Sequence, residues 1–463
     1  MTAQQNIWPA EFMTRMAGWL GAEAEAFFVA LQKHDVGLRL NPARGALPDL
    51  MARLPWKVDP VPWCPEGVAL LEDEAAVGNH PYHAAGLYYI QDPSAMAAGL
   101  LLDPRPGEWI LDLAAAPGGK STHLGARMAG EGVLVVNEVS RRRASVLAMN
   151  VERMGLTNAL VLNETPERLS GRWAGLFDAV LVDAPCSGEG MFSRDPRAMH
   201  EWSVETVSRY ADRQLVILEE AARMVHAGGR ILYGTCTFSP EEDEGVIGAF
   251  LTEHSEFEGL PLPALPGLHP AHPEWIGAPE VVKQCAGRFW PHTGLGHGHF
   301  YALLRRKGPP PDDLPAAWTG SNVPGRVLQL YKKDVGGAVT SPLVEEGLYL
   351  TGTDDLYKVP LDPALWKGLQ VLRPGWWLGS MRHGKFNPDH ALAMALRPEE
   401  VRDVVDLSVG DPNLDAFFLG GFWSAEGPEG LVLVTVDGLP VGWAKRRDGR
   451  CRSRYPVHLR RVG

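Results

Sequence analysis

An alternation of apolar runs and amphipathic segments that begins at Trp109 is the feature that most narrows the possible folds of this chain. Residues 109–113 form an apolar run of the kind seen in strands that are buried on both faces. Strands are predicted at 109–113, 133–136, 160–162, 179–182 and 230–233, and helices at 119–128, 140–154 and 205–225. Strands that alternate with helices predict a parallel, doubly wound α/β sheet, in which ligands bind beyond the carboxyl ends of the strands.

The composition is that of an ordinary globular protein rather than a fibrous or disordered one. The 463 residues are 45% hydrophobic and 22% charged, and they are enough for about three domains. Lysine and arginine number 44 against 56 acidic residues, which gives a net charge of −12. This charge argues against a protein that coats nucleic acid through its overall field, but it is compatible with a local basic patch.

Targeting signals and cysteine spacing indicate the cellular compartment in which the protein is expected. Residues 1–20 lack the basic start and apolar run of a secretory signal, and no apolar stretch is long enough to span a bilayer. The five cysteines are scattered without CxxC spacing, so they are interpreted as reduced thiols rather than as a disulfide framework or a metal site. We expect a cytoplasmic protein with no membrane partner and no bound metal, and we expect a monomer.

Composition shifts divide the chain into four parts. Residues 1–80 mix helical patterns with proline-rich connections, and residues 81–307 hold the alternating pattern. A run of three prolines and two aspartates at 309–313 marks an extended linker, which we place at 308–322. Residues 323–463 carry short β-rich runs, such as the one at 430–436.

The turn after the first predicted strand has small residues, which let the backbone approach a bound molecule closely. It consists of Ala114, Ala115, Ala116, Pro117, Gly118, Gly119 and Lys120. The pattern is not GxGxxG, and Leu113 stands where a P-loop requires its first glycine. Glu138 closes the second strand, where a carboxylate commonly accepts hydrogen bonds from ribose hydroxyls. Turn and acid alone fit both a nucleoside site and a tight strand-to-helix connection with a solvated glutamate.

Two cysteines follow the ends of two predicted strands. Cys186 lies three residues after Asp183, and Cys236 follows the strand at 230–233. A lone free cysteine is most often a small buried hydrophobe. Two cysteines beside Pro, Gly and Thr at ligand-facing strand ends favour a function, and we expect their sulfurs to share one pocket.

The segment after Cys236 contains an acidic run at 241–244. Negative charge suits the first turn of a helix, because the backbone N–H groups there carry a partial positive charge. The run is therefore interpreted as the start of a helix.

These motifs resemble those of the NOL/NOP/Sun family of RNA cytosine-5 methyltransferases. The matching segments are 116–120, 183–188 and 235–237, with supporting context at 89–94, 190–202 and 288–293. The final region, at 372–375 and 442–445, resembles the RsmF-type bacterial branch. The resemblance implies a class I S-adenosylmethionine methyltransferase fold, which is Rossmann-like with a mostly parallel sheet. It also implies an N-terminal α+β extension that positions RNA at 1–80, and a PUA-like, β-rich RNA-binding module within 323–463.

The resemblance assigns roles to both cysteines and to Asp183. Cys236 would add to carbon 6 of cytosine, because a thiolate is a strong nucleophile and the addition makes carbon 5 reactive toward a methyl group. Asp183 would hold the base near N3 as negative charge develops there. Cys186 would assist release of the proton from carbon 5.

The implied cofactor is S-adenosylmethionine, held by residues 114–120, Glu138 and Asp183. The family usually has an aspartate beside the adenine, and here that position falls at Thr165. A hydroxyl is a neutral partner, so it binds more weakly than a carboxylate. Glu164 could substitute for it, and the residues leave this contact open.

The end of the chain is strongly basic. Eight basic residues and one acid lie between Pro440 and Gly463, and Arg460 and Arg461 are the last two of the eight. The candidates for RNA contact are Lys445, Arg446, Arg447, Arg450, Arg452 and Arg454, with Trp443 and Tyr455 among them. A basic surface with aromatic side chains suits RNA backbone binding and base stacking, although a solvated basic tail has the same composition.

The expected function is S-adenosylmethionine-dependent methylation of carbon 5 of cytosine in RNA, with small-subunit (16S) rRNA or the assembling subunit as partner. A tRNA cytosine-5 methyltransferase and a non-catalytic RNA-binding assembly factor are alternatives, and the intact cysteines and Asp183 count against the second. A nucleotide-dependent oxidoreductase is disfavoured by the glycine pattern. A DNA cytosine-5 methyltransferase would use Cys186 as its nucleophile.

Overall fold

The computed structural model describes residues 8–33, 35–71 and 76–460. Arg461, one of the basic residues counted above, and the first seven residues of the N-terminal segment lie outside these ranges. No helix within the described ranges is both long and apolar enough to cross a bilayer.

The N-terminal domain packs helices against a small antiparallel sheet. Its elements are α1 (Ala10–Leu20), α2 (Ala24–Ala30), β1 (Gly37–Leu40), α3 (Leu47–Ala52), β2 (Val58–Pro60), β3 (Gly67–Leu70), α4 (Pro81–Ala84) and β4 (Tyr88–Ile90). The strand order is β2-β3-β1-β4. β4 lies beyond the boundary predicted at residue 80, because it pairs with β1 through Ile90 and Leu38. The first domain therefore includes this strand.

The central domain supplies nine strands of a mixed sheet. Its elements are α5 (Ala97–Leu102), β5 (Trp109–Asp112), α6 (Gly119–Arg127), β6 (Val133–Asn137), α7 (Arg141–Arg153), β7 (Ala159–Leu162), α8 (Pro166–Ser170), β8 (Phe177–Asp183), α9 (Pro196–Glu201), α10 (Val204–Met224), β9 (Val225–Thr235), α11 (Glu244–Glu253), β10 (Phe257–Gly259), β11 (Leu268–Pro270), α12 (Val281–Cys285), β12 (Ala286–Phe289) and β13 (His299–Arg306). The strand order is β11-β12-β13-β9-β8-β5-β6-β7, with β10 beside β13. The five strands from β9 to β7 are parallel, as predicted, and antiparallel strands follow from β13 outward.

Two hydrophobic cores cover the two faces of this sheet. Leu111 of β5 belongs to the core that includes α10, and its neighbour Ile110 belongs to the core that includes α6 and α7. Successive side chains of a strand point to opposite faces, so a strand covered on both sides must be apolar throughout. Helices on both faces leave the carboxyl ends of β5, β8 and β9 as the open edge of the sheet.

The C-terminal region forms two further domains after the irregular segment around 308–322. The first contains α13 (Gly325–Gly336), β14 (Leu348–Leu350), β15 (Asp355–Lys358), α14 (Pro363–Trp366), β16 (Val371–Arg373), β17 (Trp376–Arg382), β18 (Lys385–Pro388) and α15 (His390–Ala395). The second contains β19 (Val404–Leu407), α16 (Pro412–Phe418), β20 (Phe422–Ser424), β21 (Gly430–Val436), β22 (Leu439–Arg447) and β23 (Arg450–Ser453). The sheet orders are β14-β15-β17-β18 and β19-β21-β22-β23-β20.

β16 joins the sheet of the central domain instead of its own. It pairs antiparallel with β7 through Val371 and Leu162, and so becomes the tenth strand of that sheet. An ion pair of 3.1 Å between Arg373 and Glu152 of α7 reinforces the contact. The chain after the linker therefore completes the central sheet, which the division by composition did not predict.

Candidate active site

The sulfurs of Cys186 and Cys236 lie 3.4 Å apart. β8 and β9 are parallel neighbours, and Asp183 stands opposite Gly234, so the loops that carry the two cysteines leave the sheet side by side. Both thiols are partly exposed, whereas the other three cysteines of the chain are buried. The structure thus brings together the two cysteines singled out from the sequence and separates them from the packing thiols.

The buried side chain of Glu242 joins the two cysteine loops through hydrogen bonds. Its carboxylate accepts hydrogen bonds from Ser187 N at 2.9 Å, from the Ser187 hydroxyl and from Thr237 Oγ1 at 3.2 Å. Gln214 Nε2 donates to the same carboxylate at 2.8 Å and to Pro185 O at 2.9 Å. Ser187 follows Cys186 and Thr237 follows Cys236, so the buried side chain of Glu242 fixes the positions of both loops relative to each other.

A second buried carboxylate, Glu189, holds the segment after Cys236. It accepts hydrogen bonds from Phe238 N at 2.7 Å, Ser239 Oγ at 2.6 Å and Trp202 Nε1 at 2.8 Å. Burial, and then the nearby charge of Glu189, raise the pKa of Glu242 to about 8. The pKa of Cys186 is also raised, by its hydrogen bond to Cys236, by burial and by the charges of Cys236 and Glu242.

The side chain of Lys120 extends from the glycine turn to the carboxyl end of β8, near the two cysteine loops. Its Nζ lies 2.6 Å from Asp183 Oδ1 and 3.5 Å from His299 Nε2. Burial alone lowers the pKa of Lys120, but the Asp183 carboxylate outweighs burial and the net direction is upward. Lys120, predicted from the sequence as a cofactor residue, is therefore a charged partner of Asp183.

His299 connects this ion pair to the N-terminal side of the domain. Its Nδ1 lies 2.8 Å from Ser94 Oγ, and Ser94 also bonds the Asp92 carboxylate. Burial, and then the charge of Lys120, lower the pKa of His299 to about 4. A neutral ring with its proton on Nδ1 leaves Nε2 free to accept from Lys120.

The turn between β5 and α6 has the features of a cradle for S-adenosylmethionine. Gly118 has a φ of 113°, a conformation that side chains disfavour, and a Cβ there would lie 3.2 Å from Leu147. Asp112 accepts a hydrogen bond from Ser121 Oγ at 2.6 Å, while its Oδ1 is buried without a partner among the described residues. Burial raises the pKa of Asp112 to about 7. A buried oxygen that lacks a donor fits a ligand that supplies one, such as the ammonium group of an amino acid moiety.

Glu138 is buried at the end of β6, and its carboxylate interacts with groups of the protein. Its Oε1 accepts from Ser140 N at 2.8 Å, and Arg143 lies 3.3 Å from its Oε2. Arg143 also donates to Ala116 O at 2.6 Å, which ties the acid to the glycine turn. The predicted ribose acid and the predicted turn therefore lie together at the same edge of the sheet.

The structure distinguishes between Glu164 and Thr165, the two residues considered as partners for the adenine. Glu164 pairs with Arg168 at 2.8 Å and accepts from Gln370 N at 2.7 Å, so its carboxylate is already occupied. Thr165 is exposed at the start of α8. Of the two candidates, Thr165 has the side chain that is available to a ligand.

An open cavity of about 660 Å³ adjoins the cysteine pair. Its lining includes Cys186, Met191, Arg197, Arg209 and Tyr210. The cavity is open to solvent and has Cys186 in its lining, so it gives a bulky substrate access to the loop that carries this cysteine.

The basic residues near the end of the chain differ in their exposure to solvent, because successive side chains of a strand point to opposite faces of the sheet. Lys445, Arg447, Arg450 and Arg452 are exposed, and Arg454 is half-buried, with Nη2 2.9 Å from Asn387 Oδ1. Arg446 faces inward, where it pairs with Asp403 and donates to Pro428 O at 3.1 Å. Arg446, one of the candidates for RNA contact, therefore lies in the interior with its guanidinium paired, unlike its exposed neighbours.

The two aromatic residues expected among these charges are also buried. Trp443 packs in the core between the C-terminal domains and donates to Asp389 O at 2.9 Å. Tyr455 packs against Phe417 and Phe418. Neither ring is available for base stacking.

Sequence reasoning missed Glu242, Glu189 and His299. The run at 241–244 was interpreted only as a helix start, whereas Glu242 bonds the cysteine loops and Glu244 pairs with Arg288 at 2.5 Å. The position of Glu242 and Glu244, a few residues after Cys236, is a sequence signal that could have identified them as part of the site. His299 lies on β13, far along the chain from the cysteines, and no local pattern marks it.

Known families match the chain over most of its length. Residues 99–305 match the family described as 16S rRNA methyltransferase RsmB/F. Residues 8–93 match the N-terminal domain of 16S rRNA methyltransferase RsmF, residues 337–396 the RsmF rRNA methyltransferase first C-terminal domain, and residues 404–461 the methyltransferase RsmF PUA domain. The expected methyltransferase fold, N-terminal extension and PUA-like module are confirmed.

Individual relatives agree with these families. The ribosomal RNA small subunit methyltransferase F of Enterobacter sp. (strain 638) is 29% identical, over 100% of this chain and 98% of that protein. The protein of the same name from Escherichia coli O6:H1 is 30% identical, with the same coverage. A solved methyltransferase homolog protein from Pyrococcus horikoshii is 30% identical with a TM-score of 0.58, over 65% of this chain and 96% of that chain. NSun6 from Pyrococcus horikoshii, solved with SFG, has a TM-score of 0.56 at 19% identity, over 65% and 99% of the two chains, and supports the fold alone.

Proposed function

Because this chain belongs to the 16S rRNA methyltransferase RsmB/F family, whose cofactor is S-adenosylmethionine, we propose that it methylates carbon 5 of a cytosine in small-subunit ribosomal RNA. The observation that carries the proposal is the 3.4 Å separation of the Cys186 and Cys236 sulfurs beside the Lys120–Asp183 pair. Two thiols this close can act on adjacent atoms of one pyrimidine ring. One thiol bonds carbon 6 while the other takes the proton from carbon 5.

Cys236 is the proposed nucleophile. Its sulfur forms a bond to carbon 6, and the electron pair of the carbon 5–carbon 6 double bond moves into the ring, so that negative charge develops toward N3 and the exocyclic oxygen. The Lys120 ammonium, held 2.6 Å from Asp183, supplies a positive charge and N–H donors for that charge. Asp183 orients the base at its polar edge.

The 114–120 turn, Asp112 and Glu138 would hold S-adenosylmethionine, which would supply the methyl group to carbon 5 and leave as S-adenosylhomocysteine. After transfer, carbon 5 carries both a methyl group and a proton. Cys186 removes this proton, the electron pair restores the double bond, and the bond between carbon 6 and Cys236 breaks. The products are 5-methylcytosine, S-adenosylhomocysteine, a free Cys236 thiolate and a protonated Cys186.

The charges around the two thiols support Cys236 as the nucleophile and Cys186 as the base. Lys120 interacts electrostatically with Cys236, which places a positive charge beside the proposed nucleophile. The pKa of Cys186 is raised first by its hydrogen bond to Cys236. Once Cys236 is bonded to carbon 6, that hydrogen bond is absent and this cause of the raised pKa is removed, so Cys186 loses its own proton more easily and is available as a thiolate base at the stage where the reaction needs one.

The target cytosine must leave its stack before its carbon 6 can reach the partly exposed sulfur of Cys236. An unpaired or flipped nucleotide satisfies this requirement. The exposed basic residues of the C-terminal domain, Lys445, Arg447, Arg450 and Arg452, and the half-buried Arg454 are proposed to hold the RNA backbone.

Methyl transfer from labelled S-adenosylmethionine to purified 16S rRNA, naked and within the small subunit, tests this function. Bisulfite sequencing of the product is expected to show a protected cytosine. Label incorporated into tRNA alone would favour the tRNA alternative, and label at a base other than cytosine would exclude the covalent mechanism. The matched control is the Cys236→Ala protein, which is expected to transfer no label.

A further inference from the structure

The solvent-facing side of the last sheet carries a set of cations arranged by strand alternation. Along β22 and β23, Lys445, Arg447, Arg450 and Arg452 point to solvent, while Arg446 and Cys451, which alternate with them in the strands, are buried. Lys445 stands directly opposite Arg452, and Arg447 stands directly opposite Arg450. The sheet therefore contains two like-charge pairs in adjacent cross-strand positions.

Like charges opposite each other on neighbouring strands destabilise a sheet. The buried Arg446 in the same strand is matched by Asp403, whereas among the exposed four only Arg447 forms an ion pair, with the exposed Asp448 at 3.4 Å. The sheet thus neutralises its buried cation and leaves its exposed cations close together. An anionic ligand on this face would offset the repulsion.

An exposed aromatic ring continues the same row. Phe422 of β20 stands opposite Arg452 and is 55% exposed. The guanidinium carbons of Arg450 and Arg452 lie 5.7 Å and 5.5 Å from the centre of the Phe422 ring. A water-exposed ring flanked by cations is the combination that stacks nucleic acid bases while holding their phosphates.

A groove of about 920 Å³ runs beside this row, between the two C-terminal domains. Lys445 and Arg452 line one side, and Lys333 of α13 and Lys385 of β18 line the other. Asp334, the one acid in the lining that the structure describes, accepts a hydrogen bond from Phe386 N at 3.0 Å. The cations on both walls form no ion pair within the described part of the chain. We call the groove and the adjoining Phe422 the C-terminal cationic groove.

We propose that the C-terminal cationic groove binds single-stranded RNA, with phosphates against Lys333, Lys385, Lys445 and Arg452 and a base stacked on Phe422. The proposal deepens the proposed function and rests on it for the choice of RNA as the nucleic acid. It extends the RNA contact beyond the PUA domain, because one wall belongs to the preceding domain. The open sides and the exposed ring suit an unpaired strand, whose bases are free to stack.

The test is the affinity of the full-length protein for a labelled single-stranded RNA oligonucleotide of mixed sequence, measured by fluorescence anisotropy at several salt concentrations. Lys333→Ala and Lys385→Ala are each expected to weaken binding roughly three-fold and to lower the salt dependence by about 0.7 of a unit of slope. Phe422→Ala is expected to weaken binding about five-fold or more with no change in slope, because stacking is not ionic.

Matched controls exist beside the altered residues. Lys332 is adjacent to Lys333 on α13, but it pairs with Glu345 at 2.8 Å and does not line the groove. Leu419 is 52% exposed in the same domain as Phe422. Lys332→Ala and Leu419→Ala are expected to bind RNA as the wild type does. Circular dichroism of every variant shows whether the fold is kept.

Each outcome decides between defined alternatives. If Lys333→Ala, Lys385→Ala and Phe422→Ala bind RNA as tightly as their controls, the C-terminal cationic groove is not an RNA site. If they bind more weakly while the wild type transfers no methyl group to any RNA, the groove stands and the proposed function fails. With an active enzyme, the three variants are expected to raise KM for RNA several-fold and to keep kcat at saturating RNA.

Discussion

Ser187 and Thr237, the residues that follow the two paired cysteines, have their hydroxyl oxygens 2.8 Å apart. Each also donates a hydrogen bond to the buried carboxylate of Glu242, so the two loops are joined immediately beside Cys186 and Cys236. The separation of the sulfurs is therefore set by a polar network behind them rather than by the thiols themselves. A rigid pair suits a reaction in which two groups must act on neighbouring atoms of one ring.

The two cysteines are expected to fail at different steps. Cys186→Ala should add to the RNA but release it slowly, because no thiol is present to take the carbon 5 proton, with turnover reduced about 10²–10⁴-fold. A covalent protein–RNA complex should then accumulate on denaturing gels. Cys236→Ala should show neither complex nor turnover. A complex formed by Cys236→Ala instead would make Cys186 the nucleophile.

Glu242→Ala is expected to lower both stability and turnover. The substitution leaves Ser187 N, the Gln214 amide and two hydroxyls without their acceptor, which costs about 2 kcal/mol or more of unfolding free energy. Urea unfolding and the methylation rate measure the two effects. Glu241→Ala is the matched control, because Glu241 is a partly exposed neighbour that pairs with Arg15. Equal effects of the two variants would contradict the role given to Glu242.

The His226–Asp178 pair, 3.1 Å apart between β9 and β8, should make stability depend on pH. The hydrogen bond to Asp178 raises the pKa of His226 above 6.5. The pKa of Asp178 is lowered because hydrogen bonds from His226 and Trp109 N outweigh burial. The contribution of His226 is complete below its unfolded pKa and is lost as pH rises through the folded one.

His226→Gln keeps an N–H donor for Asp178 but cannot be charged. The variant is therefore expected to lose more unfolding free energy at about pH 5.5 than at about pH 9, as measured by urea titration at both values. His254→Gln, at the partly exposed pair with Glu256, serves as the control. A loss that is the same at both pH values would show that packing, not charge, accounts for the effect.

Adjacent arginines on β22 should behave in opposite ways. Arg446→Ala leaves Asp403 and Pro428 O without their partner in a largely buried site, which is expected to cost about 3 kcal/mol and to lower Tm by several degrees. Arg447→Ala removes an exposed side chain and should leave Tm nearly unchanged. RNA binding should be weakened by Arg447→Ala, measured at a temperature where both variants are folded. A stable Arg446→Ala protein would mean that Asp403 finds another donor.

Much of the architecture could be predicted from local patterns. The strands at 109–113, 133–136, 179–182 and 230–233 appear where apolar runs placed them, because a strand covered on both faces needs apolar residues throughout. The cysteines at 186 and 236 could be placed at strand ends for the same reason. The antiparallel strands β10 to β13 were not predicted; β10, β11 and β12 have only three or four residues each, too few to show a period, and the eight-residue β13 was not singled out from the sequence.

The amino-acid sequence by itself determined the alternating α/β core, the glycine turn and the position of each reactive residue along the chain, because these depend on neighbours a few residues away. Only the tertiary structure decided which residues meet: Lys120 with Asp183, Glu242 with both cysteine loops, β16 with the central sheet. It also decided that Arg446 is a buried structural cation while Arg447 faces solvent. Such outcomes depend on burial and on charges contributed by distant segments, and a buried charge must find its partner wherever the fold supplies one.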